Sequence, residues 1–130
     1  MEGVSKRVAD LFYESLEAIK SRLRDGDLKV VILEGAHSLE CAFFTGELER
    51  DVEVTYLNVP ETSVDGGRVG SFIRWEAGNL HPMNGKPALL FVNSRGQIDG
   101  LPDDVRGYTY SIRVSAFRRQ ADHGSSQFYK

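Results

Sequence analysis

Glu34, His37 and Cys41 are the one local cluster of residue types capable of nucleophilic and acid–base chemistry. An imidazole beside a thiol can stabilise the thiolate and so activate it as a nucleophile. Read as a strand, His37, Leu39 and Cys41 share a face, which would bring ring and sulfur together. The competing reading makes Cys41 a small core residue between Leu39 and Phe43, with His37 in a turn. We prefer that reading and assign no catalytic residue. His37, His81 and His123 are far apart, there is one cysteine, and neither HExxH nor CxxC spacing occurs. No metal and no cofactor is therefore assigned. Asp65-Gly66-Gly67-Arg68-Val69-Gly70 is glycine-rich, but no Lys-Ser/Thr closes it. It reads as a hairpin tip rather than the strand-to-helix junction that cradles phosphate.

Residues suited to binding are more plentiful. Arg106, Arg113, Arg118 and Arg119 interleave with Tyr108, Tyr110 and Phe117. Arginines and aromatics on a sheet suit single-stranded RNA, whose bases stack and whose phosphates pair with guanidinium groups. Alternation sets both tyrosines on the face of Ile112 and Val114, however, and leaves the arginines on the other. Glu47, Glu49, Asp51 and Glu53 form an acidic stretch that would meet a basic partner, with Glu49 and Asp51 as its centre. In His81-Pro82-Met83-Asn84-Gly85-Lys86-Pro87, two prolines flank an Asn-Gly turn, giving a stiff loop that would present His81 and Met83.

The charge distribution bears on both kinds of partner. Residues 1–65 carry a balance of −7 and residues 66–130 one of +4, with seven arginines among the nine later cations. Such a split signals either an anionic partner or two halves that face each other. We take the second reading. The acidic overall balance of −3 speaks against tight nonspecific nucleic-acid binding.

The elements that must position these residues begin with a helix over 5–24. Val8, Leu11, Phe12, Leu16, Ile19 and Leu23 recur at three- and four-residue steps, Ser5 can cap the start, and Gly26 can end it. Strands are expected at 28–33, 39–44, 52–56, 69–76, 88–92 and 106–119, from apolar runs or alternation. Gly-containing turns separate them, and Asn93-Ser94-Arg95-Gly96 reads as a tight hairpin. Short connections imply antiparallel pairing. The expectation is an α+β fold over residues 1–130: one N-terminal helix packed on a curved antiparallel sheet, a meander or half-barrel. Residues 121–130 form a loose tail that Phe128 and Tyr129 can dock. No apolar run is long enough to span a bilayer. The N-terminus carries charges where a signal peptide would be apolar, and the single cysteine favours a reducing, cytoplasmic setting.

The function expected is a non-catalytic binding protein of the inhibitor, immunity or adaptor type. It would hold a protein partner through the sheet face and rim loops, with no membrane involved. RNA binding through the C-terminal arginines is the alternative. A second alternative is a small ligand or substrate held inside the curved sheet, lined by Tyr56, Trp75, His81 or Tyr110.

Overall fold

The structure, a computed structural model, describes residues 4–60 and 65–127. Helices and strands alternate along it: α1 (Lys6–Asp25), β1 (Val30–Glu34), α2 (Ser38–Leu48), β2 (Glu53–Val59), α3 (Gly66–Gly78), β3 (Ala88–Ser94), α4 (Asp103–Gly107), β4 (Thr109–Arg113) and α5 (Val114–Gln127).

The helix α1 matches its sequence signals. The Ser5 side chain accepts the Val8 N–H at 3.2 Å, and Gly26 adopts the left-handed φ of 80° that closes the last turn. Val8, Phe12, Leu16 and Ile19 are buried, while Leu23 is half-buried. Burial of each large side chain stabilises by roughly 1.5–3 kcal/mol. At the helix end, Arg22 reaches across to donate to the carbonyls of Thr109 (3.1 Å) and Gly107 (2.9 Å), fastening α1 to the start of β4.

The sheet overturns the expected antiparallel meander or half-barrel. It has four strands in the order β2-β3-β1-β4, and every neighbouring pair is parallel. Val30 is level with Leu90 on one side and with Thr109 on the other. Two segments expected as strands are the crossover helices that parallel pairing requires. Residues 39–44 lie within α2, and 69–76 lie within α3. The third correction falls at 106–119, where only Thr109–Arg113 is strand and α5 starts at Val114. Asn93-Ser94-Arg95-Gly96 is not a hairpin either, because β3 ends at Ser94 and the chain leaves toward α4. Phe128 and Tyr129, expected to dock the tail, lie outside the described residues.

Both faces of the sheet are covered, so the core has two halves. Val31, Leu33, Leu89 and Phe91 point to one side, with α1, α2 and the first turn of α5. There Phe12 sits among Phe43, Phe44 and Phe117, its ring centroid 5.3–5.9 Å from theirs. Val30, Ile32, Leu90 and Val92 point to the other side, against α3 and α4. Strands buried on both faces explain the unbroken runs of Val30–Leu33 and Leu89–Val92. The crossover from β1 to β2 runs one way over the first face. Those from β2 to β3 and from β3 to β4 run back over the second, as a single handedness of connection requires.

Candidate functional site

The chain leaves β1 toward one face of the sheet and leaves β3, its neighbour, toward the other. Where adjacent strands diverge in this way, a crevice opens at their carboxyl ends. Here it has a volume of about 470 Å³ and is lined by Gly35, Ala36, His37, Ser38, Cys41, Asn93 and Arg95. Two buried carboxylates adjoin its lining residues in sequence. Glu34, the last residue of β1, accepts the Ile98 N–H (3.1 Å) and the Arg113 Nε–H (3.1 Å). Glu40, in the first turn of α2, accepts the His37 N–H (2.8 Å) and both the Nε (3.2 Å) and a terminal nitrogen (3.1 Å) of Arg118, which also donates to the Gly35 carbonyl. Glu40 thus places a negative charge at the positive end of the α2 dipole, with a guanidinium behind it.

His37 and Cys41 do line one crevice, but on a helix, where a four-residue spacing puts them on the same side. Glu34 is not their partner, since both its oxygens are committed elsewhere. Burial pushes the Cys41 thiol up from its ordinary value, opposite to the shift that would make a thiolate nucleophile. Among the described residues, no group of three His, Cys, Asp or Glu side chains is placed to hold a metal ion. What the crevice offers is polar recognition by His37, Ser38, Asn93 and Arg95.

The glycine-rich segment is a strand-to-helix junction after all, since α3 begins at Gly66. Its glycines serve the chain itself. A Cβ on Gly66 would overlap the Asp99 carbonyl oxygen, and one on Gly70 would lie 2.5 Å from Pro102 Cδ. The loop after β3 packs directly against both glycines.

A second surface lies at one of the two edges of the sheet, along β2. In β2 the Glu53 N–H donates to Pro87 (2.9 Å), and the Val59 carbonyl accepts from Arg95 (3.4 Å). The odd-numbered residues of β2 therefore bond to β3, while Val54, Tyr56 and Asn58 turn their backbone N–H and C=O groups outward, unpaired. Beside this edge, Leu57, Asn58, Val59 and Pro60 meet Arg68, Val69 and Phe72 of α3 in a cavity of about 340 Å³. A further hollow of about 520 Å³ continues over Phe72 and Trp75, bounded by Arg68 and Glu76. Phe72 is 61% exposed and Trp75 67%. The helix buries Val69, Ile73 and Ala77 on its other side.

The residues singled out by sequence scatter over the molecule. Arg113 and Arg118 are paired with Glu34 and Glu40 as described. Arg106 lies on α4 and pairs with Asp103, and Arg119 is exposed on α5. The four arginines form no continuous stripe. Glu49 accepts the Tyr56 hydroxyl, and Asp51 lies 3.9 Å from Lys20. His81 and Met83 are exposed on a small turn, bonded between Met83 and Lys86, that precedes β3 at the sheet end opposite the crevice. Tyr56, Trp75, His81 and Tyr110 share no pocket, because the sheet is open and covered by helices. The sequence reading missed Phe72 and Arg68. Their signal was the stripe Arg68, Phe72, Trp75 and Glu76, which becomes visible once Val69, Ile73 and Ala77 are taken as a helix face.

Among the described residues no helix is long and apolar enough to cross a membrane. Comparison of the chain with protein-family models, with curated proteins and with solved structures finds no match in any of the three.

Proposed function

We propose that the protein is a non-catalytic binding module that engages another polypeptide along β2 and the outer side of α3. One observation carries this reading: two aromatic side chains, each about two-thirds exposed, stand beside a sheet edge with unpaired backbone groups. An extended segment can add to such an edge through its main chain while its side chains fill the adjoining hollows. Tryptophan and arginine, both present here, are the residues that most often carry interface energy. The sheet face itself is not available, because helices cover both sides. RNA is less well served. Arg113, Arg118 and Arg106 each hold a carboxylate, and the two most exposed aromatics, Phe72 and Trp75, lie on α3, on the other side of the sheet from Arg118. A reducing, cytoplasmic setting is part of the proposal and rests on the single thiol, half-buried and unbridged.

A library of displayed extended peptides, panned on the whole protein, tests the reading. Enriched peptides should be apolar, should shift the fluorescence of Trp75, the chain's single tryptophan, and should bind Trp75→Ser about tenfold or more weakly. Peptides that leave that emission unchanged and bind Trp75→Ser equally well would overturn it.

The 470 Å³ crevice favours a second reading, recognition of a small polar ligand between β1 and β3. A thermal-shift panel of small carboxylates and phosphates tests it. A rise in Tm that disappears in Arg95→Ala supports the reading, and no rise with any member of the panel counts against it.

A further inference from the structure

The β2–α3 surface is complementary to itself, and we infer that the polypeptide it takes up is a second copy of this chain, paired about a two-fold axis. The inference rests on the reading of that surface as the binding surface. It starts from the backbone. The outward-facing residues of β2 are Val54, Tyr56 and Asn58, symmetrically disposed about Tyr56. An antiparallel partner strand centred there sets Tyr56 opposite its own copy and Val54 opposite Asn58, each exchanging both main-chain hydrogen bonds. On the α3 side of the sheet the same register opposes Thr55 to Leu57 and Glu53 to Val59. No pair in this register joins like charges. Within the strand there is no proline or lysine of the kind that commonly blunts an edge, and Glu53 stands only at its first position.

The helix repeats the symmetry. Arg68 and Glu76 stand four residues to either side of Phe72 and bound the hollow over Phe72 and Trp75. Among the described residues neither has an ion-pair partner within the chain, although most of the arginines do. A two-fold axis that brings α3 against its copy, antiparallel and centred on Phe72, opposes Arg68 of each chain to Glu76 of the other. Two such ion pairs would frame the four aromatics, as polar rims frame an apolar centre. An isologous interface must have this property: what one copy offers, the same patch on the other accepts. Covering Phe72 and Trp75 in both copies removes on the order of 500 Å². With the paired strands, Leu57, Pro60 and the stem of Arg68, the total approaches the roughly 1,200 Å² at which specific interfaces begin. That size corresponds to a reversible dimer joined into one continuous sheet of eight strands.

Sedimentation equilibrium of the full chain over about a hundredfold range of concentration tests the inference. The expected result is a concentration-dependent species of twice the 14.5 kDa chain mass. Asn58→Pro removes an outward N–H and leaves the bonds to β3 intact, so dimerisation should weaken about tenfold or more. Arg68→Glu and Glu76→Arg should each weaken it to a similar degree, and the double variant Arg68→Glu/Glu76→Arg should recover to within about threefold of the wild type. A monomer at every concentration overturns the inference, as does a dimer indifferent to all these substitutions. A monomer whose captured peptides still depend on Trp75 would remove the second copy and leave the binding surface standing.

Discussion

Glu34 and Glu40 are buried acids whose cost is met by named donors: two N–H groups and two arginines that arrive from the far end of the chain. The split of charge between the two halves of the sequence is, at these two sites, a record of internal pairing. Arg118→Met leaves Glu40 with the His37 N–H alone. Because Arg118 is itself about one-third exposed, the loss should be about 1–3 kcal/mol rather than that of a fully enclosed pair. Urea unfolding of the single variants and of Glu40→Gln/Arg118→Met should reveal a coupling of the same sign, and additive losses would show the pair to be independent. Cys41 makes a separate prediction. A thiol held protonated by burial should react with an alkylating reagent far more slowly in the native protein than in urea. Equal rates would contradict its placement. At Asp104 the hydrogen bonds from Arg74 hold the carboxyl below its ordinary range. The pair's contribution is therefore complete above the pH at which a free aspartate ionises, and it is lost as pH falls through the lowered value. Asp104→Asn should flatten that part of the acid unfolding profile. The individual residues were legible in the sequence as charged or reactive types. Their partners were not, since Glu40 and Arg118 are 78 positions apart.

The helix α3 shows what hid the crossovers. It has glycines at 66, 67 and 70, with Val69, Phe72, Ile73 and Trp75 among them, a composition that disfavours helix and suits strands. The contrary signal was the spacing of Val69, Ile73 and Ala77 at four-residue steps, all buried. For α2 the start signal was missing, because His37 stands at the N-cap in place of Ser, Thr, Asp or Asn, though Glu40 caps its backbone N–H. By contrast α1 has its cap, its stripe and its terminal glycine, and it was read almost to the residue. Two glycines of α3 can be set against each other. Gly66→Ala drives a methyl group into a backbone oxygen that cannot step aside, so a loss of about 3 kcal/mol, the upper end for overpacking, is expected. At Gly78 an added Cβ meets nothing, and Gly78→Ala should be neutral or gain up to about 1 kcal/mol from helix propensity. Chemical denaturation of both variants checks the pair, and equal effects would mean that the Asp99 loop does not lie against α3. In α1, Leu16→Ala should cost about 2–5 kcal/mol, measured in the same way.

At the scale of the whole molecule, the direction of the strands decided where functional surfaces are found. Continuous apolar runs such as Val30–Leu33 and Leu89–Val92 point to strands covered on both faces, and strands so covered belong to parallel sheets. Short glycine-marked gaps argued for hairpins only because the intervening helices had themselves been taken for strands. Once the helices are in place, the open sheet face vanishes as a docking site. What remain are the crevice between β1 and β3 and the edges of the sheet, of which β2 has exposed aromatics beside it.

The strand order also fixes when this protein can fold. Its central strand, β1, has one neighbour about 60 positions later and the other about 79 positions later, since Val30 is level with Leu90 and Thr109. Near neighbours in sequence supply little of the sheet, and α1 finds α5 only at the far end of the chain. A topology of such high contact order closes its large loops before their contacts repay the entropy, so refolding should occupy milliseconds to seconds rather than microseconds. During synthesis the apolar β1 must wait for β4, about 79 positions later, before it is enclosed. A chain ending at Gly107, without β4 and α5, should therefore show no cooperative urea transition. A sharp one near the full-length midpoint would mean that β1 needs only a single neighbour. Until β4 arrives, the growing chain presents the apolar β1 as a sheet edge, a place that the more polar β4 then takes, so the arrival of β4 is a safeguard against premature association.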